Sequence, residues 1–186
     1  MTRKESEELY ELIGKDAALW LEHAKGLRYC AVILKNQLVA LFDTPDTPSN
    51  DRRVETNGLV DSTLLLLGLA FENLIKGVYI AQEPGRVDKT RLDRSLWQAD
   101  SGHGISEFAK SLTQIDTDEE DLLQRLQESI VWAGRFPIPT KSSRFHTSRS
   151  PVNKRSLSTR DFEVAEGLFA KLERILVRAR NANPPA

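Results

Sequence analysis

Apolar residues recur at alternating steps of four and three near the start of the chain, the spacing of one face of an α-helix. The repeat comprises Ile13, Ala17, Trp20, Ala24, Leu27, Ala31, Leu34, Leu38 and Leu41. Val32, Ile33 and Val39 flank this stripe and widen it, which favours the core of a helical bundle over a narrow two-chain seam. The pattern therefore predicts one long helix that ends before the proline-containing segment 43–51, where the backbone is restricted.

A second helix is predicted from about residue 61 to about residue 81. This segment is apolar nearly all round, which is typical of a central helix with neighbours on every side, and Pro84 and Gly85 end it. Residues 83–102 are charged and poorly periodic, so they predict a loop. A short amphipathic helix is predicted at 103–115.

Capping signals predict two more helices. The residues from Thr117 to Glu120 have the pattern of a capping box, and their acids suit a helix N-terminus. The predicted inward face of this helix comprises Leu122, Leu126, Ser129, Ile130 and Ala133. The last helix is predicted to begin near Ser158 or Thr159. Its predicted buried face comprises Phe162, Ala165, Leu168, Phe169, Leu172, Ile175, Leu176 and Ala179.

No segment alternates polar and apolar residues for long enough to predict a strand. The predicted fold class is therefore all-α, an up-down bundle of four main helices and a short fifth. A chain of 186 residues fits one domain with a sizeable core, here from about 16 to about 180. Long loops are expected at about 43–58, 83–102 and 135–157.

The overall composition is compatible with a helical domain and points to no particular function. The formal net charge is −1 and the chain has a single cysteine, Cys30, which excludes an internal disulfide framework. The charged N-terminal residues lack the apolar region of a signal peptide. The longest apolar run, at 64–71, is too short to span a bilayer. We expect a cytoplasmic protein with no membrane partner.

The distribution of charge is more informative than its total. The segment from Gly134 to Arg160 has seven basic residues and no acid, whereas the remainder has 19 basic and 27 acidic residues, a balance of about −8. The basic residues are Arg135, Lys141, Arg144, Arg149, Lys154, Arg155 and Arg160. This pattern favours an anionic partner such as RNA, a nucleotide or an acidic protein face. The alternative is a loop that docks on the chain's own acidic helices, such as the one that contains "DTDEED".

His146 lies within the same basic segment. A neutral histidine there could take a proton from a ribose 2′-hydroxyl, while Arg135 or Arg144 stabilises the phosphate as charge builds. These three residues are the candidates for metal-independent RNA cleavage. No metal-ligand spacing, glycine-rich phosphate loop or nucleophile elbow is present in the sequence, so no cofactor is expected.

Polar residues interrupt the most apolar helix at Glu72, Asn73 and Lys76. Glu72 and Lys76 are four residues apart and can pair along one helix face. Polar groups in a central helix need partners, so these three are interpreted either as ties to a loop or to the short helix, or as a polar notch that binds a ligand or orients a neighbouring chain. His103, at the start of the short helix, could cap it or bridge to this notch.

Two stretches, "LGLAFENLIKGVYIA" and "GHGISEFAKSL", resemble the HEPN superfamily of helical nucleotide-binding domains. The matching residues are Ala70, Glu72, Asn73 and Lys76 in one helix and Gly102, His103 and Ile105 in the short one. The resemblance covers residues 16 to about 180. It implies a helical bundle that often forms homodimers and acts in toxin–antitoxin, phage-defence or RNA-processing settings.

The resemblance implies that active members are metal-independent RNases whose signature is an arginine followed after about four to six residues by a histidine, with the two copies meeting at the dimer interface. Arg94 and His103 have eight residues between them, Arg135 and His146 have ten, and Phe145 alone separates Arg144 from His146, so none of these pairs has that spacing. The sequence therefore predicts a non-catalytic or diverged member that binds RNA, a nucleotide or a partner protein. An RNase with displaced residues and a helical scaffold without a ligand are the alternatives.

Overall fold

Six α-helices form the described part of the chain in a computed structural model, which describes residues 2–43, 49–93, 103–133 and 156–183. They are α1 (Arg3–Lys15), α2 (Ala17–Asp43), α3 (Asn50–Gln82), α4 (Ile105–Leu112), α5 (Thr117–Glu128) and α6 (Thr159–Ala182). The end of α5 widens into a π-helical turn, Ser129–Ala133. A 3₁₀ turn, Pro84–Arg86, follows α3, and the single bridge between Val87 and Leu92 belongs to no strand. The all-α prediction is confirmed.

The central helix is α3, as its apolar circumference predicts. Its buried residues are Thr63, Leu64, Leu67, Gly68, Ala70, Phe71, Glu72, Leu74, Ile75, Lys76, Gly77, Val78, Ile80 and Ala81. The most extensive helix contact is between α2 and α3. Arg52 bonds the carbonyl of Leu41 and Trp20 lies against Gly77, so these two helices are antiparallel. The helices α4, α5 and α6 also contact α3.

The central helix begins earlier than the sequence predicts, at Asn50 rather than near residue 61. Ser49 caps it, because its hydroxyl accepts a hydrogen bond from the backbone N–H of Arg52 at 3.1 Å. The first three turns are polar and mostly exposed, so they carry no apolar period by which they could be recognised. The expected loop at 43–58 is therefore wrong for residues 50–58, and residues 44–48 lie outside the described ranges.

The predicted first helix is two helices that separate at Asp16. The Asp16 carboxylate accepts a hydrogen bond from the N–H of Ala18 at 2.9 Å, which satisfies a donor at the start of α2. Ile13 thus belongs to α1 and is exposed.

The core face of α2 is narrower than predicted. Its buried residues, Ala17, Ala24, Ala31 and Leu38, are spaced seven apart. Ile33 and Val39 are exposed, so the expectation that the flanking residues widen the buried stripe is wrong. Most of the buried positions are alanines, which let α2 approach α3 closely along one seam.

The starts of α5 and α6 are close to those predicted. The capping box of α5 is formed by Asp116 and Glu119, one residue before the one expected at Thr117. Ser158 caps α6 together with Asp161. Six residues of the predicted α6 face are buried, and Ile175 and Ala179 pack against the core beside them.

By length and composition, α3 could cross a membrane, although 72% of its most apolar window is buried inside the bundle. Such burial is what the core helix of a bundle shows, so this property is weak evidence for a membrane segment.

Candidate functional site

A cluster of three polar side chains, Glu72, Lys76 and His103, lies between α3 and the start of α4. The ammonium of Lys76 bonds one carboxylate oxygen of Glu72. The other oxygen of this carboxylate lies 3.0 Å from Nδ1 of His103. The side chains of Glu72 and Lys76 are each 9% exposed, so this polar cluster is set into the core rather than lying on the surface.

Local structure explains the placement of each member. Glu72 and Lys76 are one turn apart on α3 and therefore share a face. The N-cap of α4, Gly104, has no side chain that could cap the helix, and His103 precedes it. The bond from Glu72 thus fixes the beginning of α4 against α3.

The other end of α4 is held by Tyr79. Its hydroxyl bonds the hydroxyl of Ser111 and lies 3.4 Å from the carbonyl oxygen of Phe108. The rings of Tyr79 and Phe108 meet edge to face with centroids 5.5 Å apart. Glu72 and Tyr79 therefore anchor the two ends of α4 to the central helix.

The electrostatics of the cluster are those of a buried ion pair. Burial lowers the pKa of the Lys76 ammonium, against the hydrogen bond and the charge of Glu72, which raise it. Glu72 receives one donor on each oxygen, so its charge is well compensated. No group of three or more metal-ligating side chains occurs in the part of the chain that the structure describes.

His103 is the one member of the cluster that reaches the surface, with 27% of its side chain exposed. Its second ring nitrogen has no hydrogen-bond partner among the described residues. A carboxylate that holds one nitrogen of an imidazole leaves the other available to accept a proton or a hydrogen bond. Nε2 of His103 therefore has the geometry that a general base requires.

The structure brings together three of the four residues predicted for the polar notch. Asn73, the fourth, instead donates to the carbonyl of Leu69 within α3 at 2.7 Å. The pairing of Glu72 with Lys76 and the tie to the short helix match the structural interpretation of these residues.

Ser106 on α4 and Gln127 on α5 lie next to each other and were not predicted. The backbone N–H of Ser106 lies 3.4 Å from the side-chain carbonyl oxygen of Gln127 on α5. The Ser106 hydroxyl is buried without a hydrogen-bond partner within the described ranges. Neither residue belongs to a recognisable motif, so only the packing of α4 on α5 reveals them.

Most of the predicted basic site lies outside the described residues. The residues concerned are Arg135, Lys141, Arg144, His146, Arg149, Lys154 and Arg155. Arg160, at the described end of the segment, lies 3.1 Å from the carboxylate of Asp118 and 3.4 Å from that of Glu163. The contact with Asp118 is of the kind expected if the basic segment docks on the chain's own acidic helices, and it is shown for Arg160 alone.

A second charged network, unpredicted, lies where the basic segment joins α6. Arg125 of α5 bonds the carboxylates of Asp121 and Asp161 and, at 3.0 Å, the carbonyl oxygen of Ser156. Burial would raise the pKa of Asp161, but the hydrogen bonds from Arg125 and Ser158 outweigh it and lower this pKa. Burial by itself would lower the pKa of the Arg125 guanidinium, but the hydrogen bonds and charges of Asp161 and Asp121 outweigh this effect and raise the pKa. This network fixes the start of α6 to α5.

No family model matches this chain, and neither a curated protein nor a solved structure matches it. The fold and the sites described above therefore rest on the residues of this chain alone. The resemblance to the HEPN superfamily stays a prediction.

Proposed function

We propose that this chain is a HEPN-like helical protein that binds RNA through its basic segment, 135–160, without cleaving it. The observation that carries the proposal is the separation of charge: seven basic residues and no acid from 134 to 160, against a balance of about −8 elsewhere. Lysine and arginine that neutralise phosphates release counterions, which favours binding of a polyanion. The setting we propose is a cytoplasmic defence or toxin–antitoxin module.

The described C-terminal part of the segment, residues 156–160, lies against α5. Arg125, near the end of α5, bonds Asp161 in the first turn of α6 and the carbonyl oxygen of Ser156. Arg160 lies 3.1 Å from the carboxylate of Asp118 at the start of α5.

The experiment compares binding of mixed cellular RNA in the presence of a metal chelator, at low and high salt. The segment variant replaces four basic residues by glutamine, and a control variant removes the same number of charges from the helices. The segment set is Arg135, Lys141, Arg144 and Arg149, and the control set is the exposed Arg3, Lys4, Arg174 and Arg178. We expect the wild type and the control variant to shift intact RNA at low salt and to release it at high salt.

The segment variant should bind RNA far more weakly than the control variant. Equal weakening of both variants would mean that only total charge matters and would refute a site in the segment. RNA that stays unshifted by the wild type would refute RNA binding and leave a partner protein or a scaffold.

RNA cleavage is the second candidate function, favoured by the bond that holds His103 against Glu72. A histidine oriented in this way is a suitable base for the ribose 2′-hydroxyl, and His146 is the alternative base. Cleavage that survives chelation and is lost in His103→Asn or His146→Asn, but not in the exposed His23→Asn, would establish this function. Intact RNA with the wild type would exclude it.

We also propose that two copies of the chain pair through the exposed face of α2. Tyr29 and Ile33 are large apolar residues that are exposed on the same face of this helix as Gly26. A Cβ built on Gly26 meets nothing within 4 Å, so a second helix could approach closely there. A second copy would remove these side chains from water.

A further inference from the structure

A groove of about 900 Å³ lies between α1 and the end of the bundle where α3 and α6 finish. Its apolar floor is formed by Leu12, Ile13, Leu19, Ile80, Ala81 and Pro84. Charged residues from two walls surround this floor. The described residues of the basic segment, 156–160, do not line this groove and lie at the opposite end of α6.

Contacts at the end of α1 create the groove. The indole N–H of Trp20 donates to the carbonyl of Gly14 at 2.9 Å. Gly14 also lies so close to Val87 that an added Cβ would be 2.6 Å from its Cγ1. The C-terminal end of α1 is thus fixed, whereas none of its residues is buried and 69% of Leu12 is exposed. The apolar face of α1 is left facing the groove without a partner among the described residues.

The two walls of the groove differ in electrostatic character. On the α1 wall, Glu11 pairs with Lys15, Glu8 pairs with Lys4, and the Asp16 carboxylate accepts the Ala18 N–H. The acids of this wall are therefore internally compensated.

The part of the lining that does not belong to α1 includes two cations, Lys89 after α3 and Arg180 in the last turn of α6. Within the part of the chain that the structure describes, neither has an ion pair or a hydrogen bond, and both are exposed. The groove therefore combines an apolar floor with two uncompensated positive charges, neither of them on α1.

We propose that this groove binds a single-chain amphiphile with an anionic head group, of the chemical class of long-chain carboxylates. The alkyl chain would lie on the apolar floor, and the carboxylate would contact Lys89 and Arg180. The volume is in the range of small-molecule pockets. An acidic helix would need several cations along its length, whereas only Lys89 and Arg180 of the described groove residues are cations without an ion pair.

Dodecanoate below its micellar concentration is a suitable probe for the full chain, with hexanoate and dodecanol as comparators, measured by titration calorimetry. We expect dodecanoate to bind with 1:1 stoichiometry. Each methylene added to the chain should raise the affinity by up to about fourfold, so hexanoate should bind far more weakly. Dodecanol should bind more weakly than dodecanoate, since it lacks the charge.

The variant Lys89→Gln/Arg180→Gln should lower the affinity for dodecanoate by about tenfold or more and leave that for dodecanol unchanged. The control Arg53→Gln/Arg174→Gln, which removes two exposed charges outside the groove, should bind like the wild type. Leu12→Ser should weaken all three ligands, and its high exposure makes misfolding an implausible cause.

Absence of dodecanoate binding would overturn the proposal. So would equal binding by the wild type and the Lys89→Gln/Arg180→Gln variant, or an equal loss in the control variant. A third outcome would also overturn the proposal: a dimer that dissociates when ligand is added, without 1:1 saturation. It would mean that a second copy of the chain fills the groove.

Discussion

Each oxygen of the Glu72 carboxylate has its own partner: Lys76 on the same helix, and His103 from a segment 31 residues away. The first partner could be predicted from the sequence, because residues four apart share a helix face. For the second, the sequence predicts a bridge from the short helix to the polar notch but not which atom it reaches, since no spacing rule relates residues so distant in the chain. The resemblance placed both residues in motifs but did not place them in contact.

Replacing Glu72 by glutamine should reveal the strength of this ion pair. The Lys76 ammonium would stay buried without the negative charge of the Glu72 carboxylate, so the free energy of unfolding should fall by about 3–5 kcal/mol. The double variant Glu72→Leu/Lys76→Met should recover much of that loss, because it removes both charges. Denaturant unfolding measures both values, with the exposed Glu107→Gln as control. A cost of the single variant no greater than that of the control would contradict the description of the pair.

Gly68 tests the close packing of α3 on α5. A Cβ there would lie 2.7 Å from Cγ1 of Ile130 and 3.0 Å from the carbonyl oxygen of Leu126. Gly68→Ala should therefore destabilise the fold by about 1–3 kcal/mol, despite the higher helix propensity of alanine. Gly58→Ala, on the same helix with nothing within 4 Å, should instead stabilise it by up to about 1 kcal/mol. Equal shifts of the thermal midpoint in the two variants would contradict this packing.

At the scale of the elements, helix starts were predictable where a cap is followed by an apolar period. Ser158 and the face of α6 show this combination. The start of α3 lacks this combination, because the cap at Ser49 is followed by polar turns, which contact the second half of α2 through the bond from Arg52 to the carbonyl of Leu41. The break at Asp16 was hidden for the opposite reason, since the apolar period continues across it.

The Arg125–Asp161 contact should make the junction of α5 and α6 sensitive to acid. The folded pKa of Asp161 is lowered from an unfolded value near 3.9. Its stabilising contribution is therefore complete above that unfolded value and is lost as the pH falls through the folded pKa. Asp161→Asn should cost about 1–3 kcal/mol at neutral pH, and this difference from the wild type should shrink in acid.

Denaturant unfolding of both proteins from about pH 6 to about pH 2 would follow this loss. Asp118→Asn, which removes an exposed partner of the exposed Arg160, should lower the free energy of unfolding far less than Asp161→Asn at neutral pH. A cost of Asp161→Asn that does not change with pH would contradict the assignment.

At the scale of the whole molecule, the sequence predicted the all-α fold well but not which faces stay uncovered. The sequence predicts that the flanks of the α2 stripe belong to the core, whereas its buried residues are Ala17, Ala24, Ala31 and Leu38, with Leu21 and Leu27 packed against the core beside them. Apolar periodicity cannot distinguish a face buried within the chain from one available to a second copy.

The dimer proposal is tested by one exposed residue. Ile33→Asp should convert a dimer of the 21.0 kDa chain into a monomer in sedimentation velocity, because it places a charge in an apolar interface. Val177→Asp, on α6, is a matched control because both positions are 40% exposed. A monomeric wild type, or equal dissociation by the control, would refute pairing through α2.

The most direct test of the account is the salt dependence of RNA binding. For a single-stranded nucleic acid, the logarithm of the binding constant falls with the logarithm of the salt concentration, with a slope of about −0.7 per phosphate contact. Each contact removed therefore makes the slope shallower by about 0.7. The slope should therefore be shallower in the variant that lacks Arg135, Lys141, Arg144 and Arg149 and unchanged in the helix control. Equal slopes for the wild type and this segment variant would contradict an RNA-binding role for the basic segment.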